Sequence, residues 1–385
     1  MADFDHFPER RSTESVKWRI FDEDVLPMWV ADMDFRSPEP VIQALHARVE
    51  HGIFGYPLPQ DEFRQVVVER LANRYQWQVC PDDLIFLPGV VTGFNLVCQA
   101  LTQTGQAAII QTPVYFPFLS APENAGLTRQ ENQLVMASDG RYEIDFDDFE
   151  RQITPQTKMF ILCNPHNPVG RVFTRPELER LAEICLRHDI YICSDEIHSD
   201  LIFSGYQHTP IATLGKQVSD RTVTLIAPSK TFNIAGLECS IAVVTNPKLR
   251  KRIEAARKGL VHGVNVLGLT AGLAAYKYGE GWLNELLVYL EGNRDFLSDF
   301  VMERLPGVRM SPMEGTYLAW LDCRGSNVAD SACKSFLEKG RVALNNGADF
   351  GKGGEGFVRL NFGCPRSMLK DALERMEKVL EQKNE

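Results

Sequence analysis

Lys230 stands where chains rarely place a lysine. Residues Thr222–Ala227 form an apolar run that reads as a buried strand, and Pro228-Ser229-Lys230-Thr231-Phe232 closes it. Lysine is almost never fully buried without a partner. A desolvated amine has a lowered pKa and becomes nucleophilic, as Schiff-base chemistry requires. A solvated loop lysine is the plain alternative. Other polar clusters also follow apolar runs. Ser194-Asp195-Glu196-Ile197-His198 ends one of them. Carboxylates there cost desolvation unless partnered. Asp195 could instead cap a helix. A metal site from Asp195, Glu196 and His198 is disfavoured, because no HExxH or spaced His/Cys partner accompanies it.

In Asn164-Pro165-His166-Asn167-Pro168-Val169-Gly170 an amide could point into a site, or merely cap a turn. Thr112-Pro113-Val114-Tyr115-Phe116-Pro117-Phe118 could wall a flat ring, or pack in the core. Pro88-Gly89-Val90-Val91-Thr92-Gly93 could open a helix with free N–H groups, which suits a phosphate, or form a simple turn. Gly351-Lys352-Gly353-Gly354-Glu355-Gly356 is no P-loop, since Gly353 stands where Ser or Thr must bind magnesium. A surface turn is expected there.

Such clusters need a scaffold. Leu84–Leu87, Ala107–Gln111, Lys158–Cys163, Ile190–Ser194, Thr222–Ala227 and Ser240–Thr245 read as strands buried on both faces. Gly93–Thr102 and Arg175–His188 carry helical periodicity between them. This alternation predicts an α/β domain: a mostly parallel central sheet flanked by helices, with ligands beyond the carboxyl ends of its strands. From about residue 281 the pattern changes. Trp282–Leu305 reads as a long helix, Tyr317–Asp322 and Phe357–Phe362 as strands, Ala329–Lys339 and Ser367–Gln382 as helices. The expected division is a large domain over 46–280, and a smaller α+β domain from 281–385 together with 1–45.

With 385 residues, 44% hydrophobic and 24% charged, the chain is an ordinary globular sequence and not a disordered one. A net charge of −10 disfavours general nucleic-acid binding. The nine cysteines, with no CxxC, read as mostly buried thiols in a reducing compartment. The first residues lack the pattern of a signal peptide, and no apolar stretch approaches a membrane span. A cytoplasmic protein is expected, with no membrane or nucleic-acid partner.

In their order, these pieces resemble the pyridoxal-phosphate enzymes of fold type I, in the class I/II aminotransferase superfamily. The resemblance rests on Asn167-Pro168-Val169-Gly170, then Asp195, then Ser229-Lys230. Pro27-Met28-Trp29-Val30-Ala31-Asp32-Met33-Asp34-Phe35 and Ser229-Lys230-Thr231-Phe232-Asn233-Ile234-Ala235-Gly236-Leu237 narrow it. Both are similar to the MalY/PatB branch of cystathionine β-lyases and cysteine C–S lyases. Arg359-Leu360-Asn361-Phe362-Gly363-Cys364-Pro365-Arg366 is similar to that branch as well.

The resemblance implies pyridoxal 5′-phosphate as cofactor and no metal. It implies that Lys230 carries the cofactor and that Asp195 keeps its pyridine nitrogen protonated. Asn167 would donate to the phenolic oxygen and Tyr115 would stack on the ring. Val90, Val91 and Thr92 would cradle the phosphate, with Ser229 nearby. Tyr56 would reach the phosphate of a neighbouring subunit in a homodimer. Arg359 would clamp the substrate carboxylate, with Ala31 and Asn167 beside it. Many aminotransferases carry Tyr at the place of His198 and Arg at the place of Glu238, so both departures favour the lyase branch. They leave open which group balances the phosphate. The implied activity is β-elimination on cystathionine or another cysteine S-conjugate, releasing thiol, pyruvate and ammonia. An aminotransferase on the same fold, or a regulatory protein that retains it, are the alternatives.

Overall fold

The computed structural model describes residues 3–382. Seven strands form its central sheet. They are β1 (Leu84–Leu87), β2 (Ala107–Thr112), β3 (Thr128–Gln133), β4 (Thr157–Cys163), β5 (Tyr191–Asp195), β6 (Thr222–Ile226) and β7 (Ser240–Val243). Their spatial order is β1-β7-β6-β5-β4-β2-β3. The strands from β3 across to β6 pair in parallel, whereas β7 runs antiparallel to both β6 and β1. The sheet is therefore mixed but mostly parallel. β1, β2 and β6 are buried along their whole length, in keeping with their mostly apolar character.

Sequence periodicity misses β3. Its residues, Thr-Arg-Gln-Glu-Asn-Gln, carry no apolar alternation, and it lies at the sheet edge where polar side chains face solvent. Two helix boundaries also move. The helix after β1 starts at Val90, before Gly93. The expected helix at 329–339 splits into a short 3₁₀ turn, Ala329–Ser331, and a helix, Ala332–Glu338. The helix Arg175–Arg187 begins as its sequence suggests, on a Thr174/Glu177 capping box with Pro176 in the first turn.

A second, antiparallel sheet holds β8 (Arg309–Met310), β9 (Leu318–Asp322), β10 (Asn345–Asn346) and β11 (Phe357–Asn361), in the order β8-β9-β11-β10. Leu26–Pro27 pairs in parallel with Val342–Ala343, which ties the N-terminal segment to this part of the chain. The helices Glu280–Arg304 and Arg366–Glu381 pack there on an apolar core that includes Leu286, Leu290, Leu369 and Leu373. Seven of the nine thiols are buried, but Cys80 is exposed and Cys333 partly so. No helix among the described residues is long and apolar enough to cross a membrane.

Candidate active site

Register alone brings the polar clusters together. Cys163 of β4 pairs with Asp195 of β5, and Asp195 pairs with Leu225 of β6. The segments that leave these strands carry Asn167, His198 and Lys230. Those three and Asp195 border one cavity of about 340 Å³. Tyr115, from the turn after β2, borders it too, and so do Ala31 and Ser229.

Burial shapes the charges. Desolvation lowers the Lys230 amine to about 8, with Asp32 opposing the drop and Arg359 adding to it. Desolvation raises the Asp195 carboxyl to about 7, although the Ile197 N–H donates to it at 3.0 Å. Glu196, next in the chain, pushes Asp195 the same way. His198 is pressed down to about 3, first by burial and then by Lys230 and Arg359, so its ring is neutral. Burial also raises the Tyr115 phenol. An amine lowered to about 8 and a carboxyl raised to about 7 in one cavity suit proton transfer near neutral pH.

A helix start at the cavity wall can receive an anion. Val90, Val91 and Thr92 border the cavity at the start of a helix of 12 residues, where the first N–H groups have no intrahelical partner. No side chain caps that helix, and Gly89 before it holds a φ of 115°, a conformation that favours glycine. Glu238 borders the same cavity, and its exposed carboxylate adds no positive charge there.

Arg359 lies beside the cavity, 2% exposed. Its guanidinium donates to Asn167 Oδ1 at 2.9 Å, to Asn345 Oδ1 at 2.6 Å and to the Trp29 carbonyl at 3.1 Å. Burial holds it down near 10. Tyr56 is not brought to the site at all, and it stands fully exposed.

Several residues at the site escaped sequence reasoning. Tyr317 donates to the Ala31 carbonyl at 3.0 Å. Asn345 grips Arg359, and Asn361 grips the loop around Ala31. Asn361 and Asn233 lie within the segments quoted for the family resemblance, so a signal existed. Their hydrogen bonds to distant backbone could not be read from it.

A planar ring bearing an aldehyde, a basic nitrogen, a phenolic oxygen and a phosphate fits these residues. The amine of Lys230, the carboxyl of Asp195, the amide of Asn167 and the open helix start offer one partner for each group. Two buried atoms here, His198 Nδ1 and Arg359 Nε, have no hydrogen-bond partner among the described residues. Buried polar atoms rarely stay unpaired, and a ligand could satisfy them.

The aminotransferase class I and II model matches residues 23–376. The chain belongs to this family. Within it, cystathionine beta-lyase PatB of Bacillus subtilis is 44% identical over 98% of this chain and 99% of its own length. A PLP-bound putative aminotransferase from Clostridium difficile is 40% identical, with a TM-score of 0.96 over 99% of this chain and 100% of that one. A PLP-bound C-S lyase from Staphylococcus hominis is 33% identical, with a TM-score of 0.91 over 99% of this chain and 98% of that one. Class I and II aminotransferase folds thus serve relatives named for two reactions, and local chemistry must separate them.

Proposed function

We propose that this protein is a pyridoxal-phosphate-dependent carbon–sulfur lyase. It acts on cystathionine or another cysteine S-conjugate by β-elimination, releasing a thiol, pyruvate and ammonia. The observation that carries this reading is the desolvated Lys230 amine beside the Asp195 carboxyl in one cavity. The PatB and C-S lyase relatives support the choice of reaction. So does His198, where many aminotransferases carry tyrosine.

When bound, the cofactor supplies an electron sink that makes the substrate Cα–H acidic. The protein's residues do the rest. Arg359 binds the α-carboxylate through its planar fork. Lys230 holds the cofactor at rest and, once free as a neutral amine, removes the Cα proton. Asp195 holds a proton at the ring nitrogen. Tyr115 packs against the ring, and the Asn167 amide orients its phenolic oxygen. His198, being neutral, can offer a hydrogen bond without adding charge. Val90, Val91, Thr92 and Ser229 receive the phosphate.

The working unit on this reading is a homodimer in which Tyr56 reaches the phosphate of the neighbouring subunit. Residues 46–280 form the cofactor-binding domain, while 281–385 with 1–45 form the smaller one. The Leu26–Val342 pairing supports that division. A cytoplasmic location suits the nine free thiols.

Incubation with cystathionine and no keto acid tests the reaction. Sustained release of pyruvate and thiol is expected. A single turnover that stalls with the cofactor in its amine form would make the protein an aminotransferase instead.

A further inference from the structure

The loop from Met28 to Phe35 is gripped from two sides. Toward the cavity, its carbonyls serve the two cations of the site. Trp29 O accepts from Arg359 Nη2 at 3.1 Å, and Ala31 O accepts from Lys230 Nζ at 2.7 Å. The carbonyls in between and beyond, those of Val30 and Asp32, both accept from Asn361 Nδ2, at 2.5 and 2.6 Å. One short stretch of backbone therefore spans from the carboxylate clamp to the base.

Behind the loop lies a network of buried and half-buried ions. Lys17 Nζ meets Asp34 Oδ2 at 2.6 Å, and each residue is 1% exposed. Arg10 bridges both carboxylates, reaching Asp34 Oδ1 at 2.6 Å and Asp32 Oδ2 at 2.9 Å. Trp18 Nε1 donates to Asp34 at 2.8 Å, and Lys17 donates to the Asp32 carbonyl at 3.1 Å. Two cations and two carboxylates thus fix the backbone on either side of Met33.

A buried ion pair is a poor source of net stability, because desolvation offsets most of its attraction. Its directional bonds nevertheless fix geometry well. Small displacements matter here, since a misplaced catalytic group by about 1 Å can cost roughly 100-fold in rate.

We propose that the Arg10–Lys17–Asp32–Asp34 network is a positioning device, which holds the Trp29 and Ala31 carbonyls so that Lys230 and Arg359 keep their mutual placement. None of these four borders the cavity, so they act as positioning residues. The inference rests on Lys230 as base and Arg359 as carboxylate clamp.

Arg10 is the accessible edge of the network, with its side chain 21% exposed, so Arg10→Met is the variant that should still fold. In the holoenzyme it should raise KM for a cysteine S-conjugate and lower kcat, for a combined loss of about tenfold or more. Binding of L-alanine, which has the carboxylate but no leaving group, should weaken in parallel. The pH midpoint of the cofactor's visible band should move by about half a unit or more, because Lys230 senses Asp32, Arg359 and Asp195. Arg10→Lys should recover most of each effect, and Lys17→Met should enlarge them if it folds. If Arg10→Met lowers only the melting temperature and leaves KM, L-alanine binding and the band midpoint unchanged, the network is merely structural and the proposal fails. A Lys230→Ala variant that still held borohydride-reducible cofactor would instead overturn the reading of Lys230, a different result from a different protein.

Discussion

Arg359 Nη1 donates to the side-chain oxygen of Asn167 at 2.9 Å, with both residues buried. The bond joins β11 to the segment that leaves β4, and so couples the second sheet to the central one. It also assigns the amide. With its oxygen committed to Arg359, Asn167 can turn only its NH₂ toward the cavity, as a donor. On the proposed reading, one contact thus sets both the substrate clamp and the cofactor donor. Phe350 lies under the guanidinium at 4.9 Å and leaves it little freedom to tilt.

Arg359→Lys should therefore damage substrate use and spare cofactor binding. Lysine keeps the charge but loses the fork that grips a carboxylate and Asn167 together. KM should rise about tenfold or more, with the visible cofactor band retained. Steady-state kinetics beside an absorption spectrum check this. Loss of cofactor with unchanged substrate kinetics would make Arg359 a phosphate ligand.

The central sheet was legible in the sequence because β1, β2, β4, β5, β6 and β7 are short, mostly apolar runs, a pattern that burial on both faces demands. β3 was not, since an edge strand needs no such pattern. Lys230, Asp195 and Asn167 stood out because each lies at or just past the end of a buried strand, where a polar group must have a reason. Arg359 could be assigned only by resemblance, for it lies in the middle of β11 with apolar neighbours. Asn345, Tyr317 and the Arg10–Lys17–Asp32–Asp34 network could not be found at all. Their bonds join residues from 14 to 286 positions apart, well beyond one helical or strand repeat, and no local periodicity encodes such pairings.

Lys230→Ala should abolish turnover nearly completely. On the proposed reading it removes both the covalent holder of the cofactor and the base, so a loss of about 10³-fold or more is expected. The wild-type protein should be yellow and should fix its cofactor to Lys230 on borohydride treatment. Peptide mapping of the reduced protein reads the attachment site directly. Label on any other lysine would refute the assignment.

Asp195→Asn should bind the cofactor yet turn over poorly, because a neutral amide cannot hold a proton at the ring nitrogen. The cofactor-free protein offers an independent check. Its Asp195 carboxyl is raised from 3.8 to about 7, so burial favours the protonated form. The stability that depends on that form is complete below about pH 4 and drains away as pH climbs to about 7. Asparagine has no charge to bury and escapes the loss. Relative to wild type, Asp195→Asn should gain stability between pH 4.5 and 8, by at most about 4 kcal/mol. Lys230 acts in the other direction only above about 8, where its penalty is relieved, so the comparison stops there. Denaturant unfolding at the two pH values measures the difference. A constant offset between the variants would mean that Asp195 is already ionised without cost.

The last prediction concerns assembly. Tyr56 stands fully exposed, and Ile53, Phe54 and Leu58 around it are exposed as well. Such a run of apolar side chains suits a surface that a second copy covers. If Tyr56 completes the neighbour's phosphate site, Lys230→Ala and Tyr56→Ala damage different halves of one shared site. In a mixed dimer, one site then carries both lesions and the other carries neither. Co-refolding the two weak variants should restore activity to part of the population. If Tyr56 serves its own subunit, every mixed site carries one lesion and no recovery follows. Residual activity in Tyr56→Ala would raise the baseline, so each variant refolded alone is the control. Activity of the mixture no greater than the mean of those controls would separate Tyr56 from the shared site.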